Sequence, residues 1–393
     1  MSGLFSYGVR LRTMVVFRNL LKDAVVSNLA RLLEADGLSE GVSEYAQFIS
    51  ALYQKGDNLS EYLLALVLAD DNLYMLQTAQ GLPISPLLQE CLEQELALLE
   101  EIGRLTPEML RESLGYQGFL PAYYWTELDF TAAYNERVAN ISSYGYGIFV
   151  DNRAFLLENH RLIPVKHPDP ITLDLLPGYQ RERQLVVDNT LALLEGRPAA
   201  NVLLYGDSGT GKSSTVKAVV NEYFDRGLRL IELKKNQLTE IPLLLDKLSV
   251  NPLNFILFID DLSFAKDDDN FAALKAILEG SVSSKTDNVV VYATSNRRHL
   301  VKECFSSREG DEIHLADTIS ELTSLSERFG LTVTFERPDK TQYTDIVTCL
   351  AHLNDIAMPE EELIARAEAF ALRRAGRSPR VAKQFIHSIL ANE

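Results

Sequence analysis

An apolar run, Asn201-Val202-Leu203-Leu204-Tyr205, ends abruptly in Gly206-Asp207-Ser208-Gly209-Thr210-Gly211-Lys212-Ser213, and a helical run beginning Ser214-Thr215-Val216 follows at once. No other segment restricts the fold of this chain so tightly. Strand, then G-x-x-x-x-G-K-S, then helix is the pattern of a loop that wraps phosphate. The glycines let the backbone curl until successive N–H groups point inward at phosphate oxygens. The helix opening near Lys212 adds the positive end of its dipole. Lys212 is placed to reach the β- and γ-phosphates, and the Ser213 hydroxyl to ligate Mg2+. Asp207, Ser208, Gly209, Thr210 and Ser214 complete the backbone that lines the phosphates.

The residues that follow alternate between strand-like and helical runs. Strands are expected at 201–205, 228–233, 255–259, 289–294 and 331–335. Several are near-continuous aliphatic and β-branched runs, which suit strands buried on both faces of a parallel sheet. A doubly wound α/β domain is therefore expected, followed after Pro338 by a small helical domain.

A phosphate loop needs an acidic group at the tip of a neighbouring strand. Phe255-Ile256-Leu257-Phe258-Ile259 runs into Asp260-Asp261. Asp260 is expected to hold Mg2+, through water, and Asp261 to polarise an attacking water. The alternative is a pair that merely caps a helix. The next strand ends Tyr292-Ala293-Thr294-Ser295-Asn296, which puts Asn296 near the γ-phosphate, where it orients that water. Arg328 stands just before the last strand, where it reaches a neighbouring subunit's γ-phosphate or makes a surface salt bridge. Arg380 opens a helix near the C-terminus, where it touches the phosphates of its own subunit or stays solvated.

Upstream, residues 1–165 read mostly as helix. Residues 14–34 have helical apolar spacing, Ser60 precedes another helical run, and Ser85-Pro86 and Thr106-Pro107 each pair an N-cap with a proline at the first helical position. Residues 119–125 (FLPAYYW) form an aromatic stretch with two readings, a partner-binding surface or core and interdomain packing. Residues 162–177, with four prolines, read as an extended linker, and a helix is expected from Gly178-Tyr179 to about Leu194.

The net charge is −17. Residues 1–165 hold 11 Lys and Arg against 21 Asp and Glu, and the remainder holds 27 against 34, so both parts are acidic. A nucleic-acid partner draws most of its affinity from a basic face, which this balance disfavours. Cys91, Cys304 and Cys349 form no paired motif, which fits a reducing compartment. No apolar run reaches bilayer length. A cytoplasmic location is expected.

Taken in order, Gly206–Ser213, Asp260-Asp261, Asn296, Arg328 and Arg380 resemble the Walker A, Walker B, sensor 1, arginine-finger and sensor 2 positions of AAA+ P-loop ATPases. The phrases PVKHPDPITLDLLPGYQRERQ, FIDDLSF, LKAILEG, ATSNRRHL, DEIH and LSERFG resemble more closely the bacterial domain of unknown function family 815. The resemblance implies a mostly helical N-terminal domain over 1–165 for partner recognition or regulation, an α/β nucleotide-binding domain over 166–338, and a helical lid over 339–393. It implies ATP and Mg2+ as cofactors, hydrolysis of ATP to ADP and phosphate, a homo-oligomer when ATP is bound, and a protein partner. It also implies an adenine pocket near Gly178-Tyr179 and Arg380, with Tyr179 as a nucleotide contact. The family usually has Glu where this chain has Asp261. Its shorter side chain points to slow hydrolysis or to an ATP-controlled binding switch. A small-substrate kinase fits less well, because the trans arginine and helical N-terminal domain are foreign to it. Arg297, Arg298 and His299 form one basic spot, for DNA or for a neighbouring subunit's Asp267-Asp268-Asp269.

Overall fold

The computed structural model describes residues 2–262, 274–275, 277–278, 287–296, 328–374 and 376–391. It resolves into two compact units, Met1–Val150 and Asp151–Glu393. The boundary falls earlier than the expected 165, because residues 154–164 form strands of the second unit's sheet.

The first unit is built of helices α1 (Ser2–Arg12), α2 (Ala24–Glu34), α3 (Leu38–Tyr53), α4 (Leu59–Ala69), α5 (Leu73–Ala79), α6 (Pro86–Gly103), α7 (Pro107–Leu114), α8 (Phe130–Ala139) and α9 (Ile141–Tyr144). Their apolar faces share one core that includes Phe17, Leu29, Phe48, Leu63, Leu99 and Tyr134. The continuous helix expected over 14–34 is broken before α2. Buried Glu95 accepts the backbone N–H groups of Val15 (2.7 Å), Val16 (3.2 Å) and Phe17 (2.9 Å), so those donors need no helical carbonyl. Asp23 then starts α2 afresh, accepting from Val25 N at 2.9 Å. The expected starts at Ser85-Pro86 and Thr106-Pro107 are found, each hydroxyl accepting from the residue three positions on.

The second unit holds strands β1 (Ala154–Glu158), β2 (Arg161–Pro164), β3 (Val202–Gly206), β4 (Leu228–Leu233), β5 (Asn254–Ile259), β6 (Val289–Asn296) and β7 (Leu331–Phe335). They form one sheet in the order β2-β1-β4-β5-β6-β3-β7, parallel except for β2. Helices α10 (Gln180–Leu194), α11 (Lys212–Tyr223) and α12 (Ile241–Leu248) intervene. The five expected strands stand within two residues of their expected ends.

The expected linker is a correction. Its first residues form β2, which pairs with β1 across a two-residue turn. Asn159 and His160 both have positive φ, 48° and 60°, as a hairpin that follows strand twist requires. The usual turn signal, Asn-Gly, is absent here, and Asn159 carries it alone. Residues 165–177 cross to α10 without strand or helix.

The C-terminal helices α13 (Lys340–Leu353), α14 (Glu360–Leu372) and α15 (Pro379–Leu390) pack around Tyr343, Ile346, Leu350, Phe385 and Ile389. Asp339 and Gln342 cap α13 reciprocally, and Ser378 caps α15. No helix among the described residues is long and apolar enough to cross a membrane.

Candidate nucleotide site

The sheet's strand order brings the chemistry together. The tip of β6 lies between those of β3 and β5, so Asn296 stands level with Gly206 and Thr294 lies near Asp260, just past the Ile259–Ala293 pair. Side chains two apart on a strand share a face, so Thr294 and Asn296 project the same way. The carboxyl ends of parallel strands are where open α/β sheets bind ligands.

Gly206 leaves β3 at φ +140°, and a Cβ there would lie 2.0 Å from the Phe335 carbonyl oxygen of β7. Only glycine lets the loop pass so close to that strand. The loop then curls back. Lys212 donates to the carbonyls of Gly206 (2.9 Å) and Asp207 (2.8 Å) and to Asn296 Oδ1 (3.1 Å). Thr210 is buried, its hydroxyl on the Asp207 carbonyl. Burial pushes the Lys212 ammonium down to about 8, against the opposing pull of Asp207, Asp260 and Asp261. A buried ammonium ringed by backbone at a helix N-terminus is an anion site.

Asp260 Oδ1 accepts from Ser213 Oγ at 2.6 Å and from Thr294 Oγ1 at 2.6 Å. Asp261 has φ +52°, a left-handed conformation that Asp adopts more readily than most residues. The end of β6 holds that turn. The Asp261 N–H donates to Thr294 Oγ1 (2.9 Å), Asn296 Nδ2 donates to Asp261 Oδ1 (2.6 Å), and Leu262 N donates to the Thr294 carbonyl (2.7 Å). The turn redirects the short Asp261 side chain toward Asn296, in place of a longer glutamate.

From the other side, α15 closes on the loop. Arg380 N donates to the Gly209 carbonyl at 3.1 Å, and Arg380 Nη1 lies 3.5 Å from Ser208 Oγ. A Cβ at Gly209, at φ +80°, would stand 3.1 Å from that of Arg380.

These groups line one cavity of about 690 Å3, within the range of small-ligand pockets. Its polar lining includes Ser208, Gly209, Gly211, Lys212, Ser213, Ser214, Asp260, Asp261, Asn296 and Arg380. Ile171, Leu175, Leu176, Pro177 and Leu350 add apolar lining suited to a planar base. Ser213 and Asp260 present hard oxygens 2.6 Å apart, a donor set that fits Mg2+.

Two expected residues lie elsewhere. Tyr179 is not among the residues lining the cavity. Its hydroxyl donates to the Glu336 carbonyl at 2.6 Å, and its ring packs on Phe335 at 5.3 Å, in a position shared by the sheet core and the lid core. Burial raises its phenol well above the ordinary range. Arg328 precedes β7, whose first residue pairs with Val202 at the end of β3 remote from Gly206. Five residues of strand, roughly 15 Å, separate that edge from the loop of the same chain. Arg297, Arg298, His299, Asp267, Asp268, Asp269 and Cys304 lie outside the described residues.

Other residues were not anticipated. Thr294 was legible from strand periodicity once Asn296 was chosen. Residues 169–177 passed as linker, and their apolar members are the signal. Leu350 and Lys383, both lining the cavity, carry no local mark and are brought there by the lid's packing.

A family model described as a protein of unknown function (DUF815) matches residues 150–393. Over 81 residues, 21% of this chain, the sequence is 35% identical to an ORC1-type DNA replication protein of Desulfurococcus amylolyticus, and the match covers 20% of that protein. Among solved structures, an arginine-to-alanine variant of Thermotoga maritima RuvB aligns at a TM-score of 0.37 and 15% identity, covering 57% of this chain and 66% of its own. The T. maritima RuvB Holliday junction branch migration motor aligns at 0.35 and 18%, covering 56% and 65%. This chain thus spans a fifth of that curated relative and just under two thirds of those RuvB chains.

Proposed function

The chain belongs to the DUF815 family, and on that premise we propose that its parallel sheet is the AAA+ form of the P-loop fold and that it binds Mg-ATP and hydrolyses it to ADP and phosphate at a site completed by a second subunit. The observation that carries this reading is the meeting of Lys212, Ser213, Asp260, Asp261, Asn296 and Arg380 in one cavity. The backbone of Gly206–Ser214 and Lys212 bind the phosphates, and Arg380 brings the lid onto them. Ser213 and Asp260 would hold Mg2+, which supplies neutralisation of the phosphate oxygens. Asp261, oriented by Asn296, takes the proton of the attacking water.

Arg328 sits too far from its own loop to serve it, so in this reading it serves the γ-phosphate of a neighbour. Assembly is then part of the site, and hydrolysis moves the lid and residues 1–165 against a protein partner in the cytoplasm. Mixing Lys212→Ala with Arg328→Ala protein tests this. Each alone is inactive, and the mixture regains phosphate release, because one subunit's intact loop meets the other's intact arginine. An inactive mixture that still co-assembles by light scattering with Mg-ATP removes Arg328 from the mechanism.

A second reading is a binding switch with slow turnover. Its support is the Asn296–Asp261 hydrogen bond of 2.6 Å, with Asn296 also accepting from Lys212. Asp261 must exchange that partner for water before it acts as a base. ATP binding with phosphate release far slower than assembly favours this reading over continuous turnover.

A further inference from the structure

We propose that the cleft lined by Tyr53, Asp57 and Tyr124 in the first unit receives arginine side chains of a protein partner. It extends the partner role given above to residues 1–165, and its test reads binding alone, without nucleotide, so the two readings fail separately.

The aromatic stretch 119–125 divides in the structure. Leu120 and Tyr123 are buried, whereas Phe119, Tyr124 and Trp125 are exposed, by 85%, 69% and 43%. The backbone that carries these rings is held at several points. The Tyr124 N–H donates to the Asp57 carbonyl at 2.7 Å, and the Leu59 N–H donates to the Tyr124 carbonyl at 2.9 Å. Tyr45 bonds the Pro121 carbonyl at 2.6 Å, Tyr123 the Leu105 carbonyl at 2.7 Å, and Tyr53 the Ala122 carbonyl. The strip is thus bolted to α3, to the turn after it and to Leu105, two residues beyond α6. A strip whose main chain is already ordered loses little backbone entropy on binding.

Tyr53, Gly56, Asp57, Ala122, Tyr123 and Tyr124 line an open cleft beside this strip. Asp57 is exposed, and its carboxylate has no hydrogen-bond or ion-pair partner among the described residues. Along residues 53–62 and 119–129 the ionised groups are Asp57, Glu61, Glu127 and Asp129 against Lys55 alone. Arg104 pairs with Glu127 at 3.3 Å, which leaves Asp57, Glu61 and Asp129 against Lys55, an acidic balance that repels phosphate and draws cations. Main-chain donors and acceptors at Tyr124 are already used, so recognition falls to side chains. A guanidinium meets both demands at once. Its plane stacks on an exposed tyrosine face, and its N–H fork pairs with a carboxylate.

Trp125, the single tryptophan of the chain, adjoins the cleft and reports occupancy by fluorescence. The experiment titrates the full-length protein with acetyl-Gly-Arg-Gly-Arg-Gly-amide and with its citrulline counterpart, which keeps the shape and removes the charge. A saturable change is expected with the arginine peptide and none with citrulline. Asp57→Asn and Tyr124→Ala each weaken binding about threefold or more, the scale of one exposed ion pair or cation–π contact. Glu90→Gln, an exposed acid on α6, leaves it unchanged. Equal weakening by Glu90→Gln would reduce the effect to net charge and overturn the proposal. So would an unchanged Asp57→Asn, or self-association lost in Tyr124→Ala without peptide binding, which would assign the cleft to a second copy.

Discussion

Replacing Thr294 by valine removes one hydroxyl at the tip of β6 and keeps the side chain's shape. That hydroxyl donates to Asp260 at 2.6 Å and accepts the Asp261 N–H at 2.9 Å, in a site 2% exposed. Asp260 loses a charge-assisted hydrogen bond, worth about 1.5–3 kcal/mol. The Asp261 N–H keeps only its 3.2 Å contact to Asp260 Oδ1. The left-handed turn at Asp261 holds roughly 1–3 kcal/mol of strain, which this hydroxyl opposes. Once released, the turn relaxes and carries the carboxylate with it. A displacement near 1 Å costs on the order of a hundredfold in rate. Phosphate release under saturating Mg-ATP should therefore fall about 30- to 100-fold. ATP affinity should change less than about threefold, because Lys212 and the loop amides are untouched. Thr294→Ser should recover most of the rate. Turnover by Thr294→Val at the wild-type rate, or a loss of affinity as large as the loss of rate, would refute the argument that this hydroxyl positions the acidic turn.

Three further outcomes follow from the same geometry. Asp261→Glu should lower phosphate release rather than raise it, because the left-handed turn favours Asp and aims its shorter side chain at Asn296; a faster variant in a phosphate-release assay would contradict this. Lys212 titrates near 8 in the free protein, and bound polyphosphate raises it, so binding takes up protons around pH 8 and affinity falls as pH rises above that value; calorimetry in two buffers of different ionisation enthalpy measures the uptake, and none at pH 8.5 would contradict the depressed value. Glu95→Ala strands three buried or part-buried N–H donors at residues 15–17, so the first unit should lose about 3 kcal/mol or more by urea unfolding followed through Trp125.

Much of the second unit was readable from local pattern alone. The expected ends of β3 to β7 lie within two residues of those found, because strands buried on both faces write themselves as unbroken apolar runs. Gly206 to Ser213 was readable because its chemistry is contiguous and its glycines answer a local demand. The hairpin β1–β2 was not, since Pro164 within β2 and three prolines downstream mask it and its turn lacks the customary glycine. The helix break at residues 15–17 was equally hidden, because the acceptor that permits it, Glu95, lies some 80 positions away.

The sequence by itself therefore determined which groups are present at the ends of which strands: Lys212, Asp260, Asp261 and Asn296. Only the tertiary structure decided which of them meet. Pairing β6 between β3 and β5 sets Thr294 against Asp260 and Asn296 beside Lys212, and no periodicity along one strand specifies its neighbours. The same holds for Tyr179, whose ring packs on Phe335 rather than lining the cavity, and for Leu350 and Lys383, which reach it only through the lid. Local propensity acts over a few residues, whereas the alignment of strand tips and the docking of the lid are set by burial of surfaces far apart in the chain.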